Sequence, residues 1–159
     1  MASSDLAIKK EDELMSLTKD KVKKLVQDWY LKLDVHAPMV ELLPMLADKE
    51  LEMRFPEATL RGHAEFEKWY QGVIRFFFDE VHTLKELNIK LSEDKNQADI
   101  KLVVYWEASR WHPPSAKSER LMFDAYQTWV VRLSSETGKP VIVTYIVDSL
   151  KPMEGSAEL

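Results

Sequence analysis

The sequence contains no cysteine. Disulfide cross-links, thiol nucleophiles and thiolate metal sites are excluded together, and the redox compartment is left unmarked. No apolar stretch approaches the roughly 18 residues that a membrane-spanning helix needs. The first twenty residues are too rich in Lys, Glu and Asp to hold the apolar centre of a secretory leader. A cytoplasmic protein with no membrane partner is the expectation. A basic field is missing as well: 22 Lys and Arg stand against 27 Asp and Glu, interspersed, for a net charge of -5. Phosphate backbones therefore find nothing to neutralise them, and no nucleic-acid partner is expected. The four histidines, His36, His63, His82 and His112, lack the close spacings of a zinc or iron site. No metal site is expected, and no cofactor.

What is present suits one domain. A chain of 159 residues with 45% hydrophobic content can bury one sizeable core. The reading is a single domain over 1–159, with an ordered core of about 13–152 and frayed ends. Helices come first. Behind Thr18, a suitable N-cap, apolar residues fall at Val22, Leu25, Val26, Trp29 and Leu33 on one helical stripe. Pro38 is placed to open a short second helix, which Pro44 shortens or kinks. Leu51, Met53 and Phe55 alternate as in a half-buried strand, and a short strand over 58–61 comes next. A third helix, rich in aromatics, is expected over 63–78, with Asp79-Glu80 as its solvated terminus. Four β-rich segments complete the chain, over 84–91, 100–111, 121–133 and 141–150, joined by polar or Gly- and Pro-containing turns.

Helices followed by consecutive strands imply an α+β domain, with helices covering one face of a curved sheet. Over 100–111 one face carries Leu102, Val104 and Trp106, and the other carries Val103, Tyr105, Glu107 and Trp111. Neither is simply polar, which points to a second copy packed sheet to sheet as a homodimer. Trp106, Trp129 and Tyr145 on successive strands, with Gln127 beside Trp129, form either an aromatic core or the wall of a cavity for a small apolar or aromatic molecule. Tyr30, Tyr70, Phe77 and His82 are the further candidate ligand contacts. For proton transfer the candidates are Asp34, His36 and His82. Asp34 and His36 share a loop, which suits either an acid–base pair or an Asp34 that caps the second helix. Asp79 is the carboxylate considered as the partner that orients His82.

Several of these features together resemble a known family. They are the aromatic first helix ending at Asp34, the Leu-Leu-Pro-Met-Leu-Ala-Asp turn before the first strand, Arg61-Gly62 opening the third helix, and His82 leading into the next strand. Over about 18–151 the chain resembles the NTF2-like superfamily, and within it the SnoaL-like group. The resemblance implies a cone in which a bent mixed sheet wraps around three helices and encloses an elongated pocket. Members include ketosteroid isomerase-like, dehydratase-like and polyketide cyclase-like enzymes, and also binding or accessory domains, so fold alone does not select an activity. Ketosteroid isomerase-like members carry a catalytic Asp just before a Pro, and Phe55 stands there before Pro56. The Asp-Arg-Asp constellation of limonene epoxide hydrolase-like members does not assemble. Dehydratase-like members use pocket histidines with an Asp and tyrosines, types that Tyr30, Asp34, His36, Tyr70 and His82 supply. The expectation is an aromatic-lined pocket that binds a small apolar ligand. The alternative is a cofactor-independent lyase, isomerase or cyclase using acid–base residues of that pocket.

Overall fold

The computed structural model describes residues 16–159. The start expected for the ordered core, at residue 13, lies outside them. Helix α1, Lys19–Asp34, begins where the Thr18 hydroxyl accepts the Lys21 N–H at 3.1 Å, and Asp20 and Lys32 suit the two ends of its dipole. Its stripe of Val22, Leu25, Val26, Trp29 and Tyr30 is buried. The helix stops in a tight turn: the Ala37 N–H reaches back to the Lys32 carbonyl at 2.9 Å and His36 takes φ +50. Pro38 caps the one-turn helix α2, Met39–Leu42, and Pro44 tightens the next residues into a 3-10 turn, Leu43–Met45.

Two three-residue strands, β1 (Glu52–Arg54) and β2 (Thr59–Arg61), pair antiparallel and lead into α3, Gly62–Phe76. Gly62 has φ +78, a conformation that side chains resist, and a Cβ here would come within 3.4 Å of Asp48 Oδ1. That same oxygen accepts the His63 N–H at 3.0 Å and so holds the start of the helix. The long strands β3 (Phe78–Leu91), β4 (Gln97–Arg110), β5 (Glu119–Leu133) and β6 (Pro140–Pro152) complete a sheet of order β2-β1-β6-β5-β4-β3. β1 runs parallel to β6 and every other pair is antiparallel, so the curved, open sheet is mixed and the class is α+β, as expected. The inner face keeps the expected register, with Leu102, Val104, Gln127 and Trp129 all buried.

The core sits between α1, α3 and this inner face. Trp29, Phe66 and Trp129 are almost wholly buried. Ring centroids lie 5.7 Å apart for Trp29 and Phe66 and 4.8 Å apart for Trp129 and Tyr145.

Two expectations are corrected. The third helix ends at Phe76, and Phe77 already has extended backbone, because Phe78, Val81 and Thr83 prefer the pleated sheet to another helical turn. Residues 79–82 therefore belong to β3 rather than to a helix end. The segment after β6 does not fray. It folds back along β5 through Met153 N–H to Met122 O and Ala157 N–H to Arg120 O, both 2.9 Å, and the Ser156 hydroxyl accepts the Met122 N–H.

Truncation of Trp29 to Ala should cost about 3–5 kcal/mol by leaving a large cavity. Thr18→Ala should cost about 1 kcal/mol by freeing the cap. Urea unfolding of both variants tests this, and similar midpoints for the two would contradict the packing described.

Candidate functional site

A cavity of about 800 Å³ opens between α3 and the inner face of the sheet, with a mostly apolar lining. Its size suits a small organic molecule of one to three rings. Of the residues that the sequence offers as ligand contacts, Tyr70, Phe77, His82, Trp106, Gln127 and Tyr145 line it. Tyr30 and Trp129 do not. They stand behind the wall, buried in the core and bonded to the lining residue Gln127 from its far side. Phe55, at the position of the isomerase base, is an apolar wall residue stacked on Trp69 at 4.1 Å.

His82 faces the cavity from β3, with its side chain only 10% exposed. Its Nδ1 lies 2.6 Å from Asp34 Oδ1. An ionised carboxylate only accepts, so Nδ1 carries the proton and Nε2, in the neutral form of the ring, is an acceptor with no partner among the described residues. The Tyr30 ring stacks on the imidazole at 4.9 Å and holds its plane. An aspartate behind a histidine, fixing its tautomer and stabilising the imidazolium once formed, is the geometry of a general base.

The expected Asp34–His36 pair does not form. Side chains two residues apart on this tight turn diverge, and each meets β3 instead. His36 Nε2 lies 2.6 Å from Glu80 Oε2. Asp79 is not the partner of His82 either. It occupies a β-bulge between Phe78 and Val81, with φ +50, and its carbonyl accepts from Arg120 Nη1 at 2.7 Å. The bulge leaves Glu80 on the inner face, buried and lining the cavity, rather than at a solvated terminus. Trp106 Nε1 donates to Glu80 Oε1 at 3.1 Å. Glu80 was missed as a site residue. The available signal was its i, i+2 spacing from His82, which puts both on one face of a strand once the strand is recognised.

A polar net underlies the floor of the cavity. Gln127 Oε1 accepts from Tyr30 Oη and from Trp129 Nε1, each at 3.0 Å, and Tyr145 Oη lies 3.2 Å from Tyr30 Oη. The indole can only donate, which sets the orientation of the amide and leaves the Gln127 NH₂ as a donor for a ligand. Tyr70 Oη donates to the Ala37 carbonyl at 2.7 Å and so ties α3 to the turn that carries Asp34 and His36. Burial raises Tyr30 well above the ordinary tyrosine range, and Tyr145 beside it adds to the shift. Tyr70 is pushed up to about 12, by burial first and then by the charge of Glu80. Tyr145 also reaches about 12, chiefly through burial. Among the described residues, no group of three or more His, Asp or Glu is placed to hold a metal ion. No helix of the described chain is long and apolar enough to cross a membrane.

This sheet, curved around its helices and open at its edges, has the cone fold that the sequence resemblance implied. No protein-family model matches the sequence, and no curated protein does. Solved structures do match the fold. A candidate scytalone dehydratase from Novosphingobium aromaticivorans is similar at 15% identity over 100% of this chain and 93% of that one, with a TM-score of 0.66. A type 3 hexachlorocyclohexane dehydrochlorinase, LinA, from Novosphingobium barchaimii matches at 12% identity, 89% and 93% coverage and a TM-score of 0.69. A protein of unknown function with a cystatin-like fold from Nostoc punctiforme matches at 14%, 91% and 99%, with a TM-score of 0.65. At these identities the similarity establishes the fold.

Unfolded phenols titrate near pH 10. Above that pH the unfolded chain has shed protons that Tyr30, Tyr70 and Tyr145 keep in the folded state. Their contribution to stability should be whole below about pH 10 and should decline as the pH rises towards about 12. Phenolate absorbance, followed alongside circular dichroism, checks this: native protein should withhold these three phenols until it unfolds. Ionisation of all five tyrosines near pH 10 in folded protein would refute it.

Proposed function

We propose that the chain is an acid–base enzyme, a lyase that removes a proton from carbon in a small, mostly apolar, ring-containing substrate, with His82 as the base and Asp34 as the group that orients it. One observation supports this over a purely ligand-binding module: the 2.6 Å bond between His82 Nδ1 and Asp34 Oδ1, made at the wall of an open cavity. A histidine kept only for packing has no need of a half-buried carboxylate fixing one tautomer while its other nitrogen has no partner among the described residues. The aromatics do not fill the space either, since Trp106 forms wall and Trp129 lies behind it.

The step is a β-elimination. Nε2 of His82 takes a proton from carbon, the electron pair of that C–H bond becomes the new double bond, and the leaving group departs with its own bonding pair. The Asp34 carboxylate stabilises the imidazolium, which then returns its proton to solvent. Ring walls from Phe55, Trp69, Phe77 and Trp106 shed water and hold the substrate, and the Gln127 NH₂ offers one donor for orientation. Two of the fold relatives are named for eliminations, of water and of hydrogen chloride. They motivate the choice of elimination over isomerisation.

Chloride release from hexachlorocyclohexane and dehydration of scytalone are the first assays. For whichever substrate turns over, His82→Ala should lower kcat by about 10²–10⁴. Asp34→Asn should also lower kcat strongly, by favouring the wrong tautomer, with little change in KM. Full activity in folded His82→Ala would defeat the proposal.

The outer face of the sheet is the proposed seat of a homodimer. Val103 is buried there even in one chain, and Tyr105, Tyr126 and Val130 are only partly exposed. Sedimentation at micromolar concentration should give twice the 18.5 kDa chain mass. A single monomeric species would rule this out.

A further inference from the structure

The proposed base leaves half of a larger pattern unused. Asp34-Val35-His36 at the end of α1 and Glu80-Val81-His82 in β3 are the same kind of tripeptide: an acid, a valine and a histidine. They pair in crossed fashion, Asp34 with His82 and His36 with Glu80, each at 2.6 Å, while Val35 and Val81 are exposed. One pair therefore presents an imidazole to the cavity and the other presents a carboxylate. The Glu80 side chain is 5% exposed and lines the cavity; His36, at 26%, sits behind it and is not a lining residue. Trp106 Nε1 and His36 Nε2 each occupy one carboxylate oxygen, and each oxygen has room for a further bond. What remains open toward the cavity is acceptor capacity carrying negative charge.

The rest of the lining does little to offset that charge. Arg110 is the permanent cation among the described lining residues; its charge is paired with Glu119, which accepts its Nε–H at 2.9 Å, and one Nη2–H goes to the Glu158 carbonyl. The positive charge that His82 acquires on taking a proton is matched by Asp34. A ligand carboxylate set against Glu80 would meet like charge in a poorly solvated space, whereas a hydroxyl or amine would satisfy a waiting acceptor.

We propose that Glu80 determines specificity: it selects ring-containing molecules that carry a hydroxyl or amine donor, neutral or cationic, and it refuses carboxylates. The inference rests on the cavity being the substrate site and names the substrate class. The raised tyrosines agree with it, since Glu80's charge is felt at Tyr70.

Calorimetric titration of the intact protein at pH 7 with 2-naphthol and with 2-naphthoate tests it, because the two share one ring system and differ in the donor. Wild type should bind 2-naphthol about tenfold or more tighter than 2-naphthoate. Glu80→Gln, equal in shape but uncharged, should bring the two affinities together, chiefly by strengthening naphthoate. Equal affinities in wild type, or an unchanged ratio in folded Glu80→Gln, would overturn the proposal. The wild-type ratio needs no variant and so remains a test if Glu80→Gln fails to fold. Binding is also read apart from turnover. A protein that prefers the naphthol but catalyses no elimination keeps this inference and loses the catalytic reading; one that works through His82 yet binds naphthoate equally well does the reverse.

Discussion

Two short hydrogen bonds between one turn and one strand hold the functional end of this molecule together. Asp34 to His82 and His36 to Glu80 are each 2.6 Å long, and both cross from the turn after α1 to the first residues of β3. Charge-assisted bonds of this kind in a half-buried place are strong, and losing one partner leaves the other uncompensated. They also determine what the cavity offers a ligand. Without the carboxylate behind it, the imidazole has no fixed tautomer. Without the histidine behind it, the Glu80 carboxylate has little to offset its burial beyond the Trp106 N–H.

The remaining contacts support these two bonds. Thr18 and Lys32 set the ends of α1, whose length decides where Asp34 emerges. Tyr70, bonded to the Ala37 carbonyl, fixes the turn from the side of α3. Arg120 secures the bulge through the Asp79 carbonyl and the Ser109 hydroxyl, so β3 keeps Glu80 and His82 on its inner face. Below them, Gln127 gathers the Tyr30 hydroxyl and the Trp129 indole, making the floor polar in one place while both of those donors are satisfied. Packing, capping and site geometry are thus one construction: a shift of α1 by a residue would part both pairs.

The architecture was legible in the sequence because periodicity is a repeated signal. The stripe of Val22, Leu25, Val26 and Trp29 announces a buried helix face, and the alternation of Leu102, Val104 and Trp106 set the strand register correctly. The lining residues Tyr70, Phe77, His82, Trp106, Gln127 and Tyr145 could be picked out for the same reason. Pairing was not legible. Asp34 and His36 looked like partners because they are neighbours in the chain, and Asp79 looked like the partner of His82 for the same reason. The actual partners lie 48 and 44 residues apart. Two left-handed residues, His36 and Asp79, turn the chain beside these partners; Asp and His tolerate that region better than most side chains, but the sequence does not say which of them adopts it. Glu80 looks solvated in the sequence because a run of three phenylalanines conceals where helix gives way to strand.

That bulge has a consequence for the molecule's life among other copies of itself. β3 is an outer strand of the sheet, 14 residues long, and its far side offers backbone groups to any extended chain that approaches. A flat strand of that length would template misassembly. Here the first residues are twisted out of line at Asp79 and the later ones carry Lys85, Glu86 and Lys90. The opposite edge, β2, is only three residues long and gives little to pair with. The irregularity that brings an acid into the cavity also helps keep the open rim of the sheet from recruiting a neighbour.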